Sequence, residues 1–175
     1  MALSDLESHY DYLWKKATLT SSQIDLDNVA WNLNKLLAGY KRYAFIQEKT
    51  GIPWFLVGAI HGHEASFNFN TCLHNGDPLP GPTVHVPAGR GPFKSWEDAC
   101  MDALQKMSKE KNWTILKCLE RAEAYNGLGY LKYHPDIPSP YLWACTSVYP
   151  GKGKYTSDGK FDPEAKTAQV GVAAL

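Results

Sequence analysis

The chain has 175 residues, 44% of them hydrophobic and 21% charged, and its 18 Lys+Arg balance 18 Asp+Glu to a formal net charge of zero. A chain of this length buries roughly 70% of the surface it exposes when unfolded, so one domain with a true core is expected and a disordered or fibrous protein is excluded. The even charge leaves no electrostatic footprint for nucleic acid or an anionic membrane, and no stretch reaches the ~20 apolar residues of a membrane span.

The start, MALSDLESHYDYLWKKATLT, has no basic segment followed by an apolar run, which predicts a protein made in the cytoplasm without a signal peptide. Leu3, Leu6, Tyr10, Leu13 and Trp14 form a helical stripe over residues 3–16. A second stripe runs from Val29 through Leu33, Leu36, Leu37, Tyr40 and Tyr43 to about residue 48. After Gly51, Pro53 suits a first helical position. WFLVGAIHGHEA then reads as apolar almost all round, a buried central helix ending near Glu64 or Ala65.

From Asn68 to Lys94 the chain turns to Gly- and Pro-punctuated loop, with one alternating strand at Thr83-Val84-His85-Val86. Ser95 with Asp98 forms a capping-box-like start for WEDACMDALQKM, and a further helix spans about Thr114 to Tyr125, closed by Asn126-Gly127. Ser139-Pro140 opens a short helix over YLWACTSVY, and Asp162-Pro163 opens a last one reaching Leu175. The four cysteines, Cys72, Cys100, Cys118 and Cys145, show no CxxC spacing and are expected as buried free thiols. The predicted architecture is a mostly helical α+β domain over residues 1–175, with N-terminal helices in 1–50 and the core in 51–175.

The chemistry concentrates in residues 61–85. A carboxyl in the last turn of a buried helix faces the negative end of the helix dipole in a dry setting; both effects raise its pKa and make Glu64 a proton donor at neutral pH. Asp77, in the turn-forming HNGDPLPG, is expected to stay solvated and ionised, so that the two carboxyls differ as acid and base roles require. Thr83 is a candidate to orient a water beside Asp77. His61, His63, His74 and His85 share the segment and raise a zinc site, with Asp77 as a further ligand. Because His61 and His63 point about 200° apart on a helix, they cannot face one metal there, and structural histidines are expected instead. No metal and no cofactor is expected.

GIPWFLVGAIHGHEASFNFN resembles the catalytic helix of the lysozyme-like superfamily, as in the soluble lytic transglycosylases, and AEAYNGLGY resembles their Ala-Tyr-Asn-Gly element. LHNGDPL, TVHVPAGR, YNGLGYLKYHPDIPSPYLWACTSVY and GKYTSDGKFDP together resemble the bacterial and phage cell-wall lysozymes, or endolysins, over about residues 51–170. The resemblance implies a lysozyme-like, two-lobed domain with a small β-hairpin excursion and a central buried helix. It implies a muramidase cutting the β-1,4 bond between N-acetylmuramic acid and N-acetylglucosamine, with Glu64 as the acid and Tyr125 and Asn126 lining the cleft. Lytic transglycosylases lack a second carboxylate and give anhydro products, so Asp77 carries that distinction.

A polysaccharide also suits a cleft of tyrosines that stack on sugar rings. Tyr130, Tyr141 and Tyr155 are candidates with His63; Tyr149 is a further one, while Trp143 is assigned to the core. The expected partner is the peptidoglycan glycan strand, met by a monomer at the cell wall after release, with no nucleic acid and no membrane insertion. A zinc-dependent cell-wall amidase or peptidase and a non-catalytic saccharide-binding module are the rival functions.

Overall fold

The computed structural model describes residues 3–157 and 159–175; the side chain of Leu3 in the first stripe, and Asp158 within GKYTSDGKFDP, lie outside the described residues. The fold is α+β and mostly helical. In chain order the helices are α1 (Leu3–Lys16), α2 (Gln23–Ala38), α3 (Tyr40–Thr50), α4 (Trp54–Ala65), α5 (Trp96–Ala103), α6 (Ile115–Asn126), α7 (Gly129–Tyr133) and α8 (Pro140–Trp143). β1 (Lys154–Ser157) and β2 (Lys160–Asp162) pair antiparallel, the one two-stranded sheet among the described residues. The chain forms two compact units, Met1–Leu33 with Thr114–Leu175, and Asn34–Trp113, so α2 contributes to both.

The first unit packs α1 on α6 and α8 on a terminal 3-10 turn at Val172–Ala174. Tyr10 and Leu13 of α1, Leu119 and Ala122 of α6, and Leu142 and Trp143 of α8 are buried. The larger aliphatic side chains among them each contribute about 1.5–3 kcal/mol through burial. Thr114 caps α6 by accepting from the Lys117 N–H at 3.1 Å, as its sequence position suggests.

Past residue 143 the helices expected from sequence are cut short. α8 stops at Trp143, where Cys145 turns left-handed (φ 63°) and the Thr146 hydroxyl donates to the Trp143 carbonyl at 2.6 Å. The last helix is replaced by irregular chain and the 3-10 turn. Here tertiary contact outweighs the Asp-Pro start signal. The Gly171 N–H bonds the Ala144 carbonyl at 3.0 Å, and a Cβ at Gly171 would stand 2.4 Å from the Leu142 carbonyl oxygen. The segment runs so close to α8 that Val170 and Ala174 pack with Val29.

The second unit is built on α3, α4 and α5. Tyr43, Ile46, Leu56, Val57, Ile60, Trp96, Ala99 and Leu104 form its core. The long stripe to residue 48 is two helices rather than one, because the chain breaks at Gly39, where a Cβ would lie 2.5 Å from the Tyr43 ring. A Cβ on Gly58 would likewise sit 3.0 Å from Leu36 and Tyr43, so that glycine lets α4 lie close against them. Ser95 caps α5, accepting from the Asp98 N–H at 3.1 Å.

The strand expected at 83–86 does not form. The loop between α4 and α5 is tied by isolated bridges, Thr71 to Pro78 and Gly81 to Phe93. The N–H groups of Val84 and His85, which a ladder would need, donate to the Asp77 carboxylate instead. All four cysteines are free thiols, Cys72, Cys100 and Cys118 buried and Cys145 half-buried rather than buried.

Candidate functional site

Glu64 occupies the last turn of α4 and is half-buried. Behind it the chain folds back sharply. The Ser66 N–H bonds the Gly62 carbonyl at 3.1 Å and the Phe67 N–H bonds the His61 carbonyl, closing the helix in a Schellman-like way. Ser66 (φ 49°) and Phe67 (φ 61°) are both left-handed, two successive non-glycine residues in a region that costs about 1–2 kcal/mol each. Gly62 permits the fold-back, because a Cβ there would stand 2.5 Å from the Phe67 ring.

His61 locks this turn from beneath. It is fully buried, with Nδ1 2.9 Å from the Tyr43 hydroxyl and Nε2 3.2 Å from the Asn68 carbonyl oxygen. A carbonyl only accepts, so Nε2 carries the proton and Nδ1 accepts from Tyr43. Burial pushes the imidazole down to about 4, and it stays neutral between the Phe69 and Trp96 rings. His63, one residue before Glu64, is half-buried.

Asp77 is not the solvated group its turn-forming neighbours suggest. It is 3% exposed, and it is ionised because donors surround it. His85 Nδ1–H reaches Oδ1 at 2.5 Å, and the N–H groups of Val84 and His85 reach Oδ2 at 2.8 and 3.0 Å. The His85 side-chain bond, with the two backbone bonds, outweighs burial and holds the carboxyl down at about 2. Thr83 is buried. Its hydroxyl donates to the Pro87 carbonyl at 2.5 Å and accepts from the Arg90 N–H at 2.9 Å, so its proton pins the loop and is not offered to a water.

His74 Nε2 meets Asp102 at 2.8 Å, and Arg90 clamps the same carboxylate through Nε and Nη2 at 2.9 and 2.6 Å. His61, His74 and His85 are thus each engaged through ring nitrogens in fixing the loop. Among the described residues, no three His, Cys, Asp or Glu side chains converge as a metal set.

The other unit holds an open groove of about 700 Å³. Asn126, Tyr130, Tyr141 and Tyr155, four of the residues singled out in the sequence, line it together with Tyr133, His134 and Phe161. The hairpin builds one wall: Tyr155 and Phe161 are cross-strand partners on one face, their rings 5.5 Å apart. His134 stacks on Phe161 at 3.7 Å, Tyr130 meets Tyr155 edge-on at 5.2 Å, and the Tyr130 hydroxyl accepts from the Tyr155 N–H at 3.2 Å. Lys154, Ser157, Thr167 and Gln169 add polar groups at its edge.

Tyr125 is half-buried beside Asn126 but is not one of the lining residues. Tyr149 is half-buried and donates to the Gly153 carbonyl at 3.4 Å, and Trp143 is core, 1% exposed. Of the groove residues not assigned from sequence, Tyr133, His134 and Phe161 lie in segments quoted for the family resemblance, and Gln169 lies beyond them. For Phe161 the legible signal was the aromatic at the centre of KFD matching that of KYT across a Gly turn.

Comparison with known protein families, characterised sequences and solved structures finds no match to this chain. No helix among the described residues is long and apolar enough to cross a membrane.

Proposed function

We propose that this protein is a peptidoglycan-cleaving muramidase of lysozyme-like, two-lobed type, with Glu64 as general acid. The observation that carries the proposal is the groove itself. The exposed Tyr133 and half-buried Tyr155 present ring surface there, backed by the buried Tyr130 and Tyr141, beside an Asn amide and a Gln amide; rings and amides of this kind stack on the apolar faces of sugars and hydrogen-bond their acetamido groups. Glu64, half-buried at the end of an apolar helix and followed by a strained turn, is the acid. It protonates the glycosidic oxygen as positive charge develops on the anomeric carbon, and the leaving sugar departs as an alcohol.

Asp77 enters this chemistry as a fixed negative charge. A carboxylate held at about 2 is a weak base at neutral pH, suited to stabilising positive charge and poor at activating water. Its three donors favour a second reading, a lytic transglycosylase in which the muramic-acid 6-hydroxyl attacks and an anhydro end results. The zinc-amidase alternative, with His61 or His63 beside His74, His85 and Asp77 as ligands, would require at least His74, His85 and Asp77 to leave the hydrogen bonds that fix the loop.

Glu64→Gln tests the assignment. A cell-wall turbidity assay should show activity reduced by about 10²–10⁴-fold at an unchanged unfolding temperature. Near-normal turnover by that variant removes Glu64 as the acid, and loss of activity in EDTA by the unmodified protein favours the metal-dependent rival.

A further inference from the structure

We propose that Glu123 is a positioning residue that keeps the saccharide groove competent only while its carboxyl is protonated; the proposal rests on the groove being the glycan site. Glu123 lies on the buried stripe of α6 with Cys118, Leu119 and Ala122 and is 2% exposed. Three connections join it to the groove. Asn126 follows it by one helical turn on α6. Glu123 Oε2 accepts from the Ser139 hydroxyl at 2.6 Å, and Ser139 leads directly into Pro140 and Tyr141 of the groove wall. Tyr130 lines both the groove and the small cavity of about 10 Å³ that Glu123 shares with His9, Tyr10 and Ser139.

The surroundings suit a neutral acid and not a carboxylate. Oε1 of Glu123 is buried with no hydrogen-bond partner among the described residues, as is the Tyr10 hydroxyl in the same cavity. The titratable groups facing it are His9 and Tyr10 from α1 and Tyr130 from α7; α8 and the segment before it bring Ser139 and Trp143. His9 is itself pushed down by burial, and the neighbouring Glu120 on α6 is paired with Lys117. Among the described residues no Lys or Arg lines the cavity. Burial accordingly raises the Glu123 carboxyl to about 7, against a smaller lowering by Ser139. Ionisation leaves a charge with one hydrogen bond and no counter-ion, which is relieved only by admitting water or swinging the carboxylate out. Either response moves the Ser139–Tyr141 wall and the end of α6, where the ring-stacking and amide contacts are made.

The test is isothermal titration of the full chain with tri-N-acetylchitotriose at about pH 5 and about pH 9. Affinity should fall by about fivefold or more across that range in the unmodified protein, with a midpoint near 7, and stay level in the neutral isostere Glu123→Gln. Ser139→Ala, which removes the one bond that favours the charged form, should move the midpoint to higher pH, and it serves equally if Glu123→Gln fails to fold. A pH-independent affinity in the unmodified protein overturns the proposal and leaves the groove intact. So does an equal fall in Glu123→Gln. No binding at any pH removes the groove as a glycan site.

Discussion

In the loop between α4 and α5 the polar side chains are tied to backbone and to side-chain partners: Asp77 takes three donors, Thr83 uses its proton and accepts a backbone N–H, and Asp102 of α5 holds both His74 and Arg90. In the groove the rings lean on one another, while amides and hydroxyls such as Asn126, Ser157, Thr167 and Gln169 stand at an open surface. A closed network rigidifies, whereas an open set of donors and acceptors beside aromatic faces is what a soluble polyhydroxylated ligand recognises. The contrast separates two jobs within one chain. The loop holds the turn that follows Glu64, and in the proposed function the groove is what would receive sugar.

The contrast makes the two regions respond differently to substitution. His61→Ala strikes the rigid side, removing two buried hydrogen bonds and ring packing. It should cost about 3 kcal/mol in chemical denaturation, unfolding the Glu64 turn first by hydrogen exchange. Glu123→Gln acts through pH. The folded carboxyl titrates near 7, above its unfolded value, so the native state binds the extra proton and stability declines as pH rises from the unfolded value to about 7. The variant should therefore gain up to about 3 kcal/mol over the unmodified chain at pH 8 in urea melts, and little at pH 4.

Tyr155→Ala strikes the open side. It should raise KM on soluble glycans by about tenfold with only a small change in unfolding temperature, since Tyr155 is half-buried. Ser66→Gly relieves one left-handed residue and should stabilise by about 1 kcal/mol, read from the same melts. Asp77 has the opposite pH sign to Glu123: its folded value is depressed, so its contribution is present above the ordinary Asp value and is lost as pH falls through about 2. A loss of loop protection confined to that acid range, absent in Asp77→Asn, is the expected hydrogen-exchange signature.

The helical frame was legible where the local signals were strong. Residues 54–65 form a helix closed just past Glu64, and Ser95 and Thr114 begin helices as capping residues should. It failed where tertiary contact decides. TVHV has a strand's alternation, but its donors face a carboxylate seven and eight residues back, a pairing no local pattern reveals. Gly171 fell inside the last helix expected to reach Leu175, and its close approach to the Leu142 carbonyl is a contact that no local pattern reveals. Tyr130, Tyr141 and Tyr155, singled out as amphipathic rings, and Asn126, singled out by the family resemblance, do line one groove. The burial of Asp77 was not, because turn-forming neighbours signal exposure and say nothing of donors brought from a later loop. Glu123 did leave a trace, a carboxylate falling on the apolar stripe of α6.

Mass spectrometry of the fragments released from purified peptidoglycan decides between cleavage chemistries in one experiment. A muramidase releases muropeptides ending in reducing N-acetylmuramic acid, a transglycosylase releases the anhydro form, and Glu64→Gln should yield neither. Fragments cut at peptide or amide bonds with the glycan strands intact, or no release at all, would contradict a glycan-cleaving role for Glu64.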